Sequence, residues 1–71
     1  MNKVDLKRYM DETGNTYRVE RAANKKWLAC RYNLNNNRKL FKAVEPRRNR
    51  DEVQVALDSV AKLNGWVEIG E

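Results

Sequence analysis

The side chains able to do chemistry in this sequence are mostly cations. Arg47-Arg48-Asn49-Arg50 is the densest basic run, Lys25-Lys26 and Arg38-Lys39 are shorter ones, and Arg18, Arg21, Arg31 and Lys42 lie among aromatic and apolar neighbours. Guanidinium and ammonium groups interleaved with aromatic residues in this way bind anions, phosphates above all. Histidine is missing and Cys30 is the single cysteine, so neither a Ser–His or Cys–His nucleophile nor the usual structural zinc arrangements can be built within one chain. Asp51 and Glu52 are adjacent, but they fall in the first turn of an expected helix, where capping accounts for them. No catalytic residue, metal ligand or cofactor is assigned, and an enzyme is not expected. Cys30, between Ala29 and Arg31 in an apolar-rich run, reads as a half-buried small hydrophobe, and the lack of a disulfide fits a reducing, intracellular setting.

The distribution of charge is more informative than its total of +5. Residues 1–50 carry fourteen basic and five acidic side chains, a balance of +9, whereas residues 51–71 carry one and five, a balance of −4. A basic body backed by an acidic C-terminal third points a positive face at an anionic partner, and nucleic acid is the first candidate. No apolar run approaches the length of a membrane span, and the start MNKVDLKR lacks the apolar core of a secretion signal, so a cytoplasmic protein is expected.

The elements that must position these cations belong to one domain, since 71 residues support a single small core. The clearest element is a helix over 49–64. Val53, Ala56, Leu57, Val60, Ala61 and Leu63 recur at steps of three and four, with Gln54, Asp58, Ser59 and Lys62 largely opposite. Asn49 is suited to cap its start with Glu52 reaching back, and Gly65 is suited to close it, with Trp66 folding back on the last turn. Upstream, Leu6, Tyr9 and Met10 share a helical face, which predicts a short helix within residues 1–13, with Asn2 and Asp5 as a capping pair and Gly14 as a stop.

Between the two helices, three strands are expected over 16–45. Thr16–Ala22 alternates with Tyr17, Val19 and Arg21 on one face; Trp27–Tyr32 has the aromatic and apolar density of a strand; and Arg38–Val44 follows an asparagine-rich hairpin loop and ends at Glu45-Pro46. A short fourth strand or extended tail is possible over 66–69. The expected fold class is therefore α+β: a short N-terminal helix, then a three-stranded antiparallel sheet packed on one long C-terminal helix with its other face open. In the second strand the parity stays open, because neither Trp27, Ala29 and Arg31 nor Leu28, Cys30 and Tyr32 form a cleanly polar set.

The wording of the strands and helix adds a resemblance. Tyr17-Arg18-Val19-x-Arg21, Lys26-Trp27-Leu28-Ala29, Arg38-Lys39-Leu40-Phe41 and Asp51-Glu52-Val53-x-x-Ala56-Leu57-Asp58-x-x-Ala61 resemble the Apetala-two/ethylene-response-factor type of DNA-binding domain, and the arm-binding domains of phage-type tyrosine recombinases that share its plan. The likeness spans about residues 16–65 and departs from the pattern in lacking the glycines of the first and third strands. It implies a sheet that enters the major groove with the helix behind it, and DNA contacts at or near Arg18, Arg21, Trp27, Cys30, Tyr32 and Arg38. The order helix-strand-strand-strand-helix is also that of a double-stranded RNA-binding domain, a likeness of topology alone.

The expected function is a small module for double-stranded nucleic acid, DNA first with RNA still open. Arg18, Arg21, Arg31, Tyr32 and Lys42 are its candidate contacts on the sheet, and Lys25, Lys26, Arg38, Lys39, Arg47, Arg48 and Arg50 its candidate phosphate contacts. The alternative is a phage-type adaptor or inhibitor that binds a host protein through Tyr9, Tyr32 and one of Trp27 or Phe41. Oligomeric state is not legible at this level.

Overall fold

The alternation of Tyr17, Val19 and Arg21 sets the frame for the whole chain. In the computed structural model, which describes residues 6–69, the elements run β1 (Arg8–Met10), β2 (Thr16–Arg21), β3 (Trp27–Tyr32), β4 (Arg38–Leu40), α1 (Arg50–Asn64) and β5 (Val67–Ile69). The strands form one antiparallel sheet in the order β4-β3-β2-β1-β5, and α1 covers one face of it. The expected N-terminal helix over a three-stranded sheet is thereby overturned, and only the broad α+β class survives. The part of that helix before Leu6, with its Asn2 and Asp5 cap, lies outside the described residues.

The physical reason for a strand at Arg8–Met10 is Asp11. Its carboxylate accepts from the Thr13 amide at 2.9 Å, the Thr13 hydroxyl at 2.8 Å, the Asn15 amide at 3.0 Å, the Asn15 side chain at 3.1 Å and the Tyr17 hydroxyl at 2.7 Å. An aspartate that collects nearby amides draws the backbone out of a helix and into a turn. Gly14, at φ +90, completes the reversal, and β1 pairs with β2 through Tyr9↔Tyr17 and Met10↔Thr16. After α1 the chain returns beside β1, pairing Arg8↔Ile69, Tyr9↔Glu68 and Met10↔Val67.

Asn49 and Gly65 cap α1 as its sequence reads, but the expected return bond from the Asn49 amide to the Glu52 side chain is not formed. The Asn49 side chain accepts from the amides of Asp51 at 2.8 Å and Glu52 at 3.4 Å. Gly65 stands at φ 68, ψ 28, and the paired bonds Gly65 N–H to Lys62 O and Trp66 N–H to Ala61 O close the last turn. Its buried stripe is Val53, Leu57 and Ala61 at four-residue steps, packed on Tyr9, Tyr17, Ala29 and Val44. Three positions depart from the expected face: Leu63, Gln54 and Asp58. Leu63 is 87% exposed, whereas Gln54 is fully buried, because the helix turns that side toward β1. There the Gln54 side-chain amide donates to Asp58 at 2.8 Å and Asp58 accepts from the Tyr9 hydroxyl at 2.6 Å.

Beneath the end of the helix, Tyr17 stacks on Trp66 at 3.9 Å between centroids and meets Phe41 edge-on at 5.0 Å. Phe41 reaches this cluster because the third strand of the sequence reading stops at Leu40 instead of running to Val44. Phe41 N–H still bonds Ala29 O at 2.9 Å, after which a turn carries Phe41 and Val44 inward. Among the described residues no helix is long and apolar enough to cross a membrane.

Candidate nucleic-acid interface

Register with β2 decides the parity of β3. Tyr17↔Arg31, Val19↔Ala29 and Arg21↔Trp27 share the helix-covered face, so Leu28, Cys30 and Tyr32 lie on the open one. The open face also takes Arg8 and Met10 from β1, Thr16, Arg18 and Glu20 from β2, and Arg38 and Leu40 from β4. At its centre is an ionic network around Glu20. The carboxylate accepts from Arg18 Nε at 2.7 Å and from the Tyr32 hydroxyl, and its other oxygen lies 3.0 Å from Arg38 Nε. The Arg18 guanidinium lies over the Tyr32 ring, 4.4 Å from its centroid, and donates to the Tyr32 hydroxyl at 3.0 Å.

The charges hold one another. Partial burial works to raise the Glu20 pKa, but the Tyr32 and Arg18 hydrogen bonds and the positive charges of Arg18 and Arg38 bring it below the usual range. Reciprocally, hydrogen bonds to Glu20 and Tyr32 raise that of Arg18. Cys30 sits under the network, 1% exposed and accepting from Arg38 Nε at 3.3 Å, and burial pushes its thiol up. It packs with Leu28 and Leu40 as a small hydrophobe and presents no reactive group.

A second cationic region is built by the end of the sheet. The β2–β3 hairpin closes with Ala22 N–H to Lys26 O at 2.7 Å, with Lys25 at φ 65. Residue Arg47, twenty positions on, exchanges backbone bonds with Trp27 at 2.6 and 2.9 Å. This pairing brings Arg47 and Arg48 to the same end as Arg21, Lys25 and Lys26, with the Arg21 guanidinium 6.0 Å from the Trp27 ring centroid. Five cations from two distant stretches thus converge. Glu45, 3.2 Å from Arg47, is the one carboxylate paired with them among the described residues.

The remaining sequence candidates lie elsewhere. Arg31 and Lys39 pair across β3 and β4 on the helix side of the sheet, Lys42 is exposed in the turn after β4, and Arg50 pairs with Asp51 at 3.3 Å. The helix N-terminus offers little to an anion, because the Asn49 side chain already takes two of its free amides. The adjoining cleft of about 700 Å³ is lined by Glu45, Asp51 and Glu52 as well as Arg47. Sequence reasoning missed Arg8, which the helical reading of Leu6, Tyr9 and Met10 hid; its signal was a three-residue alternation, too short to weigh against that reading.

Comparison of the chain with models of protein families, with characterised proteins and with solved structures gave no significant match.

Proposed function

We propose that the protein binds double-stranded nucleic acid, DNA in the first instance, with the basic end of the sheet against phosphates and the open face toward the groove. The observation that carries this reading is the Trp27–Arg47 backbone pairing, which gathers Arg21, Lys25, Lys26, Arg47 and Arg48 on one end. Concentrating like charge costs folding energy, and a polyanion returns that energy on binding through counterion release. Arg18, Tyr32 and Arg38 share the open face, whereas Arg21 and Trp27, which the resemblance also sets at the DNA, lie on the helix-covered one. Five phosphate contacts give a slope of log affinity against log salt of about −4.5, a loss of about 500-fold between about 50 and 200 mM. Titration of labelled DNA and RNA duplexes across that range tests it. Replacing Lys25, Lys26 and Arg48 with Gln should flatten the slope by about 2.7; no duplex binding at low salt ends the proposal.

A second reading, an adaptor for a protein, draws on Leu6, Met10, Leu40 and Val67, which are large, apolar and exposed around the network. A partner captured from nuclease-treated lysate and retained at high salt would favour it over the first.

A further inference from the structure

On the open face, one register step beyond Tyr9↔Tyr17 sets Arg8 of β1 opposite Arg18 of β2. Directly opposed side chains of an antiparallel pair have Cβ atoms about 5 Å apart, and like charges at that spacing repel. Arg18 has Glu20 to offset this, whereas among the described residues no carboxylate pairs with Arg8; Glu68 of the neighbouring strand meets Lys7 at 3.7 Å and lines, with Arg8, Arg18 and Glu20, a second groove alongside. Beside the two guanidiniums is a groove of about 310 Å³, lined further by Thr16, Tyr32, Asn36 and Ile69. Hydroxyl, amide and guanidinium donors thus surround a concave space with no acid in its lining.

We propose that Arg8 and Arg18 form a phosphate-binding site in this groove, with Arg8 supplying the unneutralised charge and Arg18, held flat over Tyr32 by Glu20, supplying a fixed planar donor set. A guanidinium with Nε committed to Glu20 and one terminal nitrogen to the Tyr32 hydroxyl still has free N–H groups for a phosphate oxygen. Thr16 and Asn36 add neutral donors at the groove's other wall. The site rests on the nucleic-acid reading for what carries the phosphate. Arg18 and Arg21 are three residues apart on β2, about 10 Å at about 3.4 Å per residue, and project from opposite faces, so the groove and the basic end are separate contacts.

The test uses the full chain and two probes, pyrophosphate and a labelled duplex. Pyrophosphate should shift the Arg8 and Arg18 side-chain N–H resonances saturably, and Arg8→Gln should abolish the saturation without lowering the melting temperature. On duplex, Arg8→Gln should flatten the salt slope by about 0.9, while Arg8→Lys keeps the slope and weakens binding. No saturable shift, or equal shifts at Arg21 and Arg48, overturns the site. If Arg8→Gln leaves duplex binding unchanged while the Lys25, Lys26 and Arg48 variant weakens it, the groove fails and the nucleic-acid reading stands. If pyrophosphate binds and no duplex does, the reverse holds.

Discussion

Replacing Glu20 with Gln should lower stability and raise affinity for duplex in the same protein. The native carboxylate receives Arg18 Nε at 2.7 Å and the Tyr32 hydroxyl on one oxygen and approaches Arg38 Nε at 3.0 Å with the other, its side chain 21% exposed. Glutamine is neutral, keeps one acceptor oxygen and sets an N–H donor group against the second partner, so both ion pairs are lost, one surviving as a hydrogen bond, and a donor faces a donor. Hydrogen bonds to charged groups are worth about 1.5–3 kcal/mol each when buried, and partial exposure here reduces the combined loss to about 1–2 kcal/mol. For a domain of this size that lowers the melting temperature by about 5–10 °C, readable from tryptophan fluorescence. The freed Arg38 is then one further candidate for phosphate. If it engages, the salt slope steepens by about 0.9, which multiplies the affinity ratio between about 50 and 200 mM by about 3.5. Anisotropy titrations of labelled duplex at three salt concentrations, at a temperature where the variant is folded, measure it. A folded variant whose affinity is unchanged or lower would refute the idea that Glu20 withholds Arg38 from phosphate. An unchanged melting temperature would refute the structural half of the reasoning.

Other consequences are local. Asp11 is partly desolvated, which works to raise its pKa, but hydrogen bonds from Tyr17, Thr13 and Asn15 hold it well below the usual carboxylate range. With Glu20 also depressed, both groups contribute full stability above about pH 4–5 and lose it as the pH falls through their unfolded values toward their folded ones. Asp11→Ala should cost about 2 kcal/mol at neutral pH and flatten the acid limb of the stability curve, measured by urea melts from pH 7 to 3. Gly65→Ala should cost about 1 kcal/mol from its positive φ alone, since a Cβ there meets nothing within 4 Å, and Gly65→Asn should cost less; thermal melts distinguish them. Trp66→Ala should cost about 3 kcal/mol by emptying the stack on Tyr17, and Trp66→Phe should recover much of that in denaturant titrations. Cys30 should react with a thiol reagent only at the rate of unfolding, which stopped-flow absorbance would show.

The helix was legible because its signals are local: Asn49 and Gly65 act within one turn of where they stand, and Val53, Leu57 and Ala61 repeat at the helical step. Strand β1 was not, because beyond the turn at Asp11 what holds it is remote. Tyr9 bonds Asp58 forty-nine residues away, and its other neighbour is β5 at the far end of the chain. Leu6, Tyr9 and Met10 satisfy a helical spacing as well as they satisfy nothing else, and three residues of alternation cannot outweigh that. Missing β1 also misplaced Gln54 and Asp58, which were read onto the solvent side of α1 only because their partners, Tyr9 and the Lys7 carbonyl, had no assigned place. One local misreading thus rotated the expected helix face.

The same chain of dependence runs into the site. The basic stretches at Lys25-Lys26 and Arg47-Arg48 were visible as composition, but their convergence depends on a backbone pairing between Trp27 and Arg47 that no local pattern announces. Conversely, charge alone does not reveal that Arg31 and Lys39 occupy the helix side of the sheet, or that Lys42 stands in the turn after β4. Parity did that, and parity followed from the clean alternation of β2 once the hairpin register was known. Arg8 is the clearest consequence. As part of a helix it was one more solvated cation, whereas as the outward residue of a central strand it stands across from Arg18 beside a groove without carboxylates. Its proposed role therefore depends on register: shifting β1 by one residue would turn Tyr9 to solvent and Arg8 into the core, and the partly buried Tyr9–Asp58 hydrogen bond is what opposes that slip. Tyr9→Phe should accordingly weaken the groove's pyrophosphate response along with stability, through a side chain on the opposite face of the sheet.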